Sequence, residues 1–238
     1  MSDTTYIEWT HWPGTIGSTW NPWRGCHKVS SGCKNCYMFR DQVRYGHDPN
    51  IIVRSKTTFN DPMTWKEPHT IFACSWSDWF IEEADKWRDE AWDIVRLTKQ
   101  HDYLILTKRP ERIANCLPVD WADFGNVWLG VSVENQVEAD RRIPIFPINF
   151  LSCEPLLGPI AISKYLSGID WVIAGGESGP NFRPMQVEWV RLLQVQCQVA
   201  GVPFFCKQDA GLKPGRKGRL PDDLWNRKEF PNVELIAA

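Results

Sequence analysis

No stretch of the 238-residue sequence approaches the roughly 18 consecutive apolar residues that a membrane span requires. The first thirty residues carry Trp, Pro, Gly and His but no apolar run, so they lack the pattern of a signal peptide. A dominant charge is also missing: 27 Lys and Arg face 29 Asp and Glu, a formal charge of −2. That balance excludes a protein that coats nucleic acid through bulk charge and leaves room only for a local basic patch. The five histidines, His11, His27, His47, His69 and His101, form no ligand-spaced set, and no HxxxH motif occurs. This argues against metal-assisted hydrolysis. Linkers, low-complexity tracts and repeats are absent as well. The expectation is a single soluble, cytoplasmic domain over residues 1–238 with no membrane partner.

The composition is globular, 43% hydrophobic and 24% charged, and its 14 tryptophans suit either a core or a roomy pocket. From residue 70 onward, short β-branched or aromatic runs end in polar clusters and are usually followed by a helical stretch. The runs are Thr70–Cys74, Tyr103–Thr107, Val127–Val133, Asn149–Cys153, Asp170–Ala174 and Val202–Cys206. Each reads as a strand buried on both faces, as parallel strands are. One helical stripe carries Ala84, Trp87, Ala91, Ile94, Val95 and Thr98, and another carries Trp189, Leu193, Cys197 and Ala200 before a stop at Gly201. An extra strand near Tyr6–Thr10 brings the count to about seven. The pattern predicts an α/β fold, a partial six- to seven-stranded parallel β/α barrel of TIM-like type whose strand ends share one mouth. A doubly wound open sheet is the alternative. Residues 50–69 and 207–238 read as irregular mouth loops or rim.

Eight cysteines in a long chain without an export pattern point away from disulfides. Three of them, Cys26, Cys33 and Cys36, share the loop of about residues 20–37 with the spacing C-x6-C-x2-C. Soft thiolates select zinc, copper or iron–sulfur clusters. Gly25 and Gly32, each directly before a cysteine, suit a backbone wrapped closely around an inorganic centre. Three thiolates are one short of a closed structural site, whereas a 4Fe–4S cubane held by three leaves one iron open for substrate. The rival reading is a zinc loop completed by His27 or a remote cysteine such as Cys74.

The runs T-W-N-P-W-R-G-C-x6-C-x2-C-Y, S-C-E-P-L-L-G-P, A-G-G-E-S-G and F-F-C-K-Q, spread over about residues 7 to 230, resemble a phage-associated three-Cys-motif family found in bacteriophages and bacteria. That family in turn resembles radical S-adenosylmethionine enzymes, although their usual triad is C-x3-C-x2-C. The resemblance implies a 4Fe–4S cluster on Cys26, Cys33 and Cys36, S-adenosyl-L-methionine on its open iron, and a reducing electron donor. In those enzymes a Gly-Gly-Glu at a strand end binds the methionyl amino group. Here Gly175, Gly176 and Glu177 come late in the chain, and Glu177 suits that role or the ribose hydroxyls. Tyr37, the aromatic kept after the last cysteine, and polar groups at the other strand ends complete a candidate binding set, the latter being Ser75, Asp78, Lys108, Ser132, Glu134 and Glu154. Candidate catalytic groups are Cys153, Cys206 and Lys207. The basic run Lys213–Arg219 suits the phosphates of a nucleic acid or nucleotide, and Trp76 and Trp79 suit stacking on a base. The alternative is a zinc- or cluster-containing protein that binds nucleic acid or a phage partner without radical chemistry.

Overall fold

A computed structural model describes residues 4–231. In chain order the strands are β1 (Ile16–Trp20), β2 (Trp23–Arg24), β3 (Val53–Arg54), β4 (His69–Ala73), β5 (Asp102–Thr107), β6 (Val127–Ser132), β7 (Phe150–Cys153), β8 (Trp171–Gly175) and β9 (Phe204–Gln208). The helices are α1 (Tyr37–Arg44), α2 (Asp85–Leu97), α3 (Ile113–Cys116), α4 (Gln136–Arg142), α5 (Val187–Ala200) and α6 (Asp222–Trp225). Seven strands form one sheet in the order β1-β4-β5-β6-β7-β8-β9, and β2 and β3 form a separate antiparallel ribbon. Chain order within the sheet, with no switch point, is the topology of a barrel wall and not of a doubly wound sheet. No helix among the described residues is long and apolar enough to cross a membrane.

The chain divides into two compact units. Among the described residues one contains 4–28 and 37–129, and the other contains 29–36 and 130–231. In the first, β1, β4 and β5 pair in parallel, with Trp20 opposite Ala73 and Thr70 opposite Asp102. In the second, β7 pairs with β8 and β8 with β9, again in parallel, with Cys153 opposite Ala174. Strands β6, β7 and β8 are buried at every position, as expected for runs covered on both faces.

The expected strand near Tyr6–Thr10 is not formed. Glu8–Thr10 is a single 3-10 turn, and the first strand is Ile16–Trp20. That strand carries small residues for a reason. A Cβ on Gly17 would lie 2.5 Å from Thr10 Oγ1, and the Ser18 hydroxyl meets His69 Nδ1 at 2.6 Å in the interior. The C-terminal irregular segment also begins later than expected, because Lys207 and Gln208 belong to β9. Residues 232–238 of that segment lie outside the described residues.

The first helical stripe holds as read, with Ala84, Ala91, Ile94, Val95 and Thr98 all buried, and the second holds at Leu193 and Cys197. In α2 the inward residues are Arg88, Ala91, Trp92, Ile94 and Val95, with Trp87 half-buried. In α5, Val190, Leu193 and Cys197 face inward while Ala200 is exposed, and Gly201 ends the helix at φ 70°. Tryptophan forms core. Trp79 meets Trp23, Trp20 and Trp92 at ring-centroid distances of 5.1, 5.7 and 4.8 Å. Three of these indoles donate inside the same unit, Trp20 to the Phe59 carbonyl at 3.0 Å, Trp92 to the Cys116 carbonyl at 2.9 Å and Trp23 to the Asp78 carbonyl at 3.2 Å.

Asp102 opens β5 half-buried, and burial raises its carboxyl from 3.8 to about 6. The folded protein therefore holds this proton between about pH 4 and 6, where the unfolded chain has lost it. The associated stability is complete below pH 3.8 and is lost as pH rises through 6. Asp102→Asn removes the loss. Denaturant titrations at pH 7.5 should show a gain of about 1–2 kcal/mol, allowing for the partial exposure, that vanishes near pH 4. An equal change at both pH values would assign the effect to packing.

Candidate functional site

In the first unit the residues after β4 and β5 converge on Cys26. The Asp78 carboxylate is buried and accepts four hydrogen bonds: from the Thr107 hydroxyl at 2.7 Å and from the Lys108 amide, the Phe80 amide and Arg109 Nη1 at 3.0 Å. Arg109 is 8% exposed and not a solvated surface cation. Burial opposes its charge, and Asp78 and Cys26 outweigh that, so its pKa is raised. Its remaining donors reach the cysteine loop. Nη2 binds the His27 carbonyl at 2.9 Å, and Nη1 lies 3.7 Å from Cys26 Sγ. The same loop is fixed from β4's end by Ser77, whose hydroxyl donates to the Gly25 carbonyl at 2.6 Å. Tyr37 donates to the Ser75 carbonyl at 2.6 Å, and the Ser75 hydroxyl meets Asn21 at 3.0 Å.

In the second unit, strand-end carboxylates hold the segment that carries Cys33 and Cys36. Glu134, after β6, is fully buried and accepts from the Gly32 amide at 3.0 Å and from Arg142 Nη1 at 2.8 Å. Arg142 Nη1 also donates to the Ser132 carbonyl at 2.7 Å, which is how Ser132 enters the site. Glu177, after β8, accepts from Arg183 Nη2 at 2.5 Å, from Arg183 Nε at 2.9 Å and from Asn35 at 2.9 Å. Arg183 Nη1 then reaches the Ser31 carbonyl at 2.9 Å. Burial works against the charged form of Glu177, but the hydrogen bonds from Arg183 and Asn35 prevail and hold its carboxyl below the usual range.

These contacts change the reading of several residues. A Cβ on Gly32 would stand 2.9 Å from the Glu134 carboxylate, and Gly25, at φ 93°, lies against the Ile51 carbonyl. Both glycines answer to contacts within the protein, with no need of an inorganic centre. Gly176 is required by the Ala210 backbone, 2.2 Å from where its Cβ would be, beside a register shift at Gly175. Glu177 has both oxygens engaged by Arg183, so its assigned place is the cysteine segment. Trp79 is wholly buried and unable to stack on a base, while Trp76 stacks on Tyr45. The basic run is tied down as well: Arg219 pairs with Asp209 at 2.9 Å, Lys217 pairs with Asp222, and the Gly215 amide binds Gln208 at 2.8 Å.

Cys153 and Cys206 are fully buried, and burial pushes the Cys153 thiol well up. Lys207 instead pairs with Glu154 at 2.6 Å, each side chain about a fifth exposed. His27 turns to Glu83, Nε2 to Oε1 at 2.5 Å. None of the eight cysteines forms a disulfide. Among the described residues no three His, Cys, Asp or Glu side chains are gathered closely enough to hold a metal ion. By donor chemistry the three thiols suit a soft metal or a cluster.

Sequence reading missed Arg142, Arg183 and Asn35. For the arginines the available signal was a cation following a strand-end carboxylate by six or eight residues, as in Glu177 to Arg183 and Glu134 to Arg142.

The arrangement defines an α/β protein whose strand-end ion pairs anchor a three-cysteine loop. Residues 4–226 match a family described as a protein of unknown function, DUF5131, and the chain belongs to that family. No curated protein and no solved structure matches it.

Glu134→Ala would leave the Arg142 guanidinium, 1% exposed, with only Glu138 at 2.9 Å as a carboxylate partner among the described residues. Removing one partner of a buried pair costs about 3–5 kcal/mol, with Glu138 favouring the lower end. Urea titration should show that loss, and hydrogen exchange at Gly32 should accelerate. A loss under about 1 kcal/mol would mean that the pair does not anchor the loop.

Proposed function

We propose that the chain is an iron–sulfur enzyme of radical S-adenosylmethionine type, with Cys26, Cys33 and Cys36 as the ligands of a 4Fe–4S cluster. The observation that carries this reading is the anchoring of the cysteine-bearing segments. Asp78 and Arg109 fix the backbone at His27. Glu134 and the Glu177–Arg183 pair fix Gly32, Ser31 and Asn35. So much buried charge committed to one short loop favours a functional loop over a passive connection, because buried ion pairs are weak sources of net stability.

When bound, such a cluster supplies one-electron reductive cleavage of the S-adenosylmethionine sulfonium to a 5′-deoxyadenosyl radical. The chain's own residues supply position and charge. Arg109 sets a fixed positive charge beside the Cys26 sulfur, which favours the thiolate form that ligates metal. Asn35, held by Glu177, lies between Cys33 and Cys36 and limits how that turn can move. In this reading Glu177 is a positioning residue, and Glu154, whose two oxygens both accept from Lys207, is engaged within the protein in the same way.

Anaerobic reconstitution should load about four iron and four sulfide per chain and give a brown absorbance that air destroys. Cys26→Ala, Cys33→Ala or Cys36→Ala should abolish it, and Cys116→Ala should not. S-adenosylmethionine should alter the electron paramagnetic resonance signal of the reduced cluster, and 5′-deoxyadenosine should form. Stoichiometric zinc with no iron uptake would overturn the cluster and favour the zinc-binding alternative. A loaded cluster indifferent to S-adenosylmethionine would overturn the enzyme class alone.

A further inference from the structure

Apart from the cysteine loop, the first unit carries a groove of about 350 Å³ lined by Ile52, Val53, Arg54, Ser55, Lys56, Lys86 and Trp87. Its volume falls within the range of about 300–1,000 Å³ typical of small-ligand pockets. Three of the seven lining residues are cations and none is an acid. Glu90 pairs with Arg54. Lys56 forms no ion pair among the described residues, and Lys86 lies over the Trp87 ring, 4.5 Å from its centroid. The chain as a whole is slightly acidic, so two lysines left without carboxylates on one groove are a local excess that the net charge does not require.

One wall of the groove is rigid. Arg54 pairs across the β2–β3 ribbon with Trp23, and its guanidinium lies 3.7 Å from the centroid of the buried Phe59 ring. The Ser55 amide donates to the Pro22 carbonyl at 2.8 Å, and the Ser55 and Thr58 hydroxyls meet at 2.6 Å. The opposite wall is the first turn of α2, which presents Lys86 and the half-buried Trp87.

We propose that this groove binds a nucleoside phosphate, with Lys56 and Lys86 on the phosphate and Trp87 against the base. Two unpaired ammonium groups match a phosphate dianion or adjacent phosphodiesters, and neither a metal ion nor a neutral ligand has a use for them. The indole supplies what phosphate alone does not require, a flat apolar surface that stacks on any base. Lys86 Nζ lies over that ring, so a phosphate that draws the ammonium aside also uncovers the indole face for its own nucleoside. No lining residue of the groove belongs to the cysteine loop or to the side chains that anchor it, so the site does not rest on any cluster there.

The test is equilibrium binding to the full chain, with thermal melts confirming that each variant is folded. The probes are adenosine monophosphate, a single-stranded oligonucleotide of about ten thymidines, inorganic phosphate and a polyglutamate peptide. At least one of the first two should bind. Binding of the mononucleotide identifies a free nucleotide as the source, and binding of the oligonucleotide alone identifies a strand. Lys56→Ala with Lys86→Ala should lower affinity at least tenfold and, for a strand, reduce the slope of log affinity against log salt by about 1.4. Trp87→Ala should weaken either nucleoside phosphate by roughly five- to a hundredfold while leaving inorganic phosphate unaffected. The proposal fails if neither nucleoside phosphate binds, or if the lysine variants bind as the natural chain does. It fails equally if polyglutamate binds as well and Trp87→Ala changes nothing, which would mark the groove as a site for acidic peptides.

Discussion

A carboxylate removed from water at the end of a strand persists in its charged form only where protein donors replace the lost solvent. Asp78, Glu134 and Glu177 all meet that condition with an arginine from their own unit. A guanidinium has five N–H groups, more than one carboxylate takes up, and the remainder must also find acceptors. At Arg109 and Arg183 they find backbone carbonyls of the cysteine segment, His27 and Ser31. At Glu134 the acceptor is the carboxylate itself, which takes the Gly32 amide. The loop's shape is thus imposed from the strand ends. Between Cys26 and Cys36 its own secondary structure amounts to one 3-10 turn over Ser31–Cys33.

The same device recurs at the end of β9, where Asp209 is buried and accepts from Arg219 Nε and the Arg219 amide at 2.9 and 2.8 Å. Arg219 passes a further donor to the Met185 carbonyl at 2.6 Å. A basic, glycine-rich run that looks free in sequence is in this way bound to the sheet. Ion pairs of this kind specify one arrangement of a loop more effectively than they add stability, since desolvation offsets much of their attraction. An apolar contact would hold the loop near the strand end, whereas a bidentate arginine also fixes its orientation.

The sheet was legible because strands covered on both faces must be apolar throughout, and from β4 to β9 they are, to within two residues at either end. The first strand was not, because its interior is built from Gly17 and Ser18, whose fitness depends on Thr10 and His69 and not on any local pattern. Candidate site residues divide along the same line. Strand-end position marked Asp78, Ser132, Glu134 and Glu177 as candidate ligand contacts, yet it did not distinguish a ligand contact from a buried anchor. That distinction depends on Arg109, Arg142, Arg183 and Asn35, whose partners lie from 6 to 142 residues away in sequence. Glycine misled for a related reason, since Gly32 and Gly176 mark close approaches and the sequence does not say to what.

Once those approaches are assigned, the features of the loop separate by what they require. Arg109, Arg183 and Glu134 act on backbone atoms of His27, Ser31 and Gly32, and Glu177 acts on the amide of Asn35. None of these anchors needs sulfur at positions 33 or 36. Serine there would permit the same backbone course, with a hydroxyl that hydrogen-bonds more strongly than a thiol does. Cysteine adds a soft ligand and a redox-active atom, neither of which the anchoring uses. The burden of a functional reading therefore falls on the three thiols. The glycines and carboxylates around them hold the loop in place, and under the proposed function the sulfur atoms are what that placement serves.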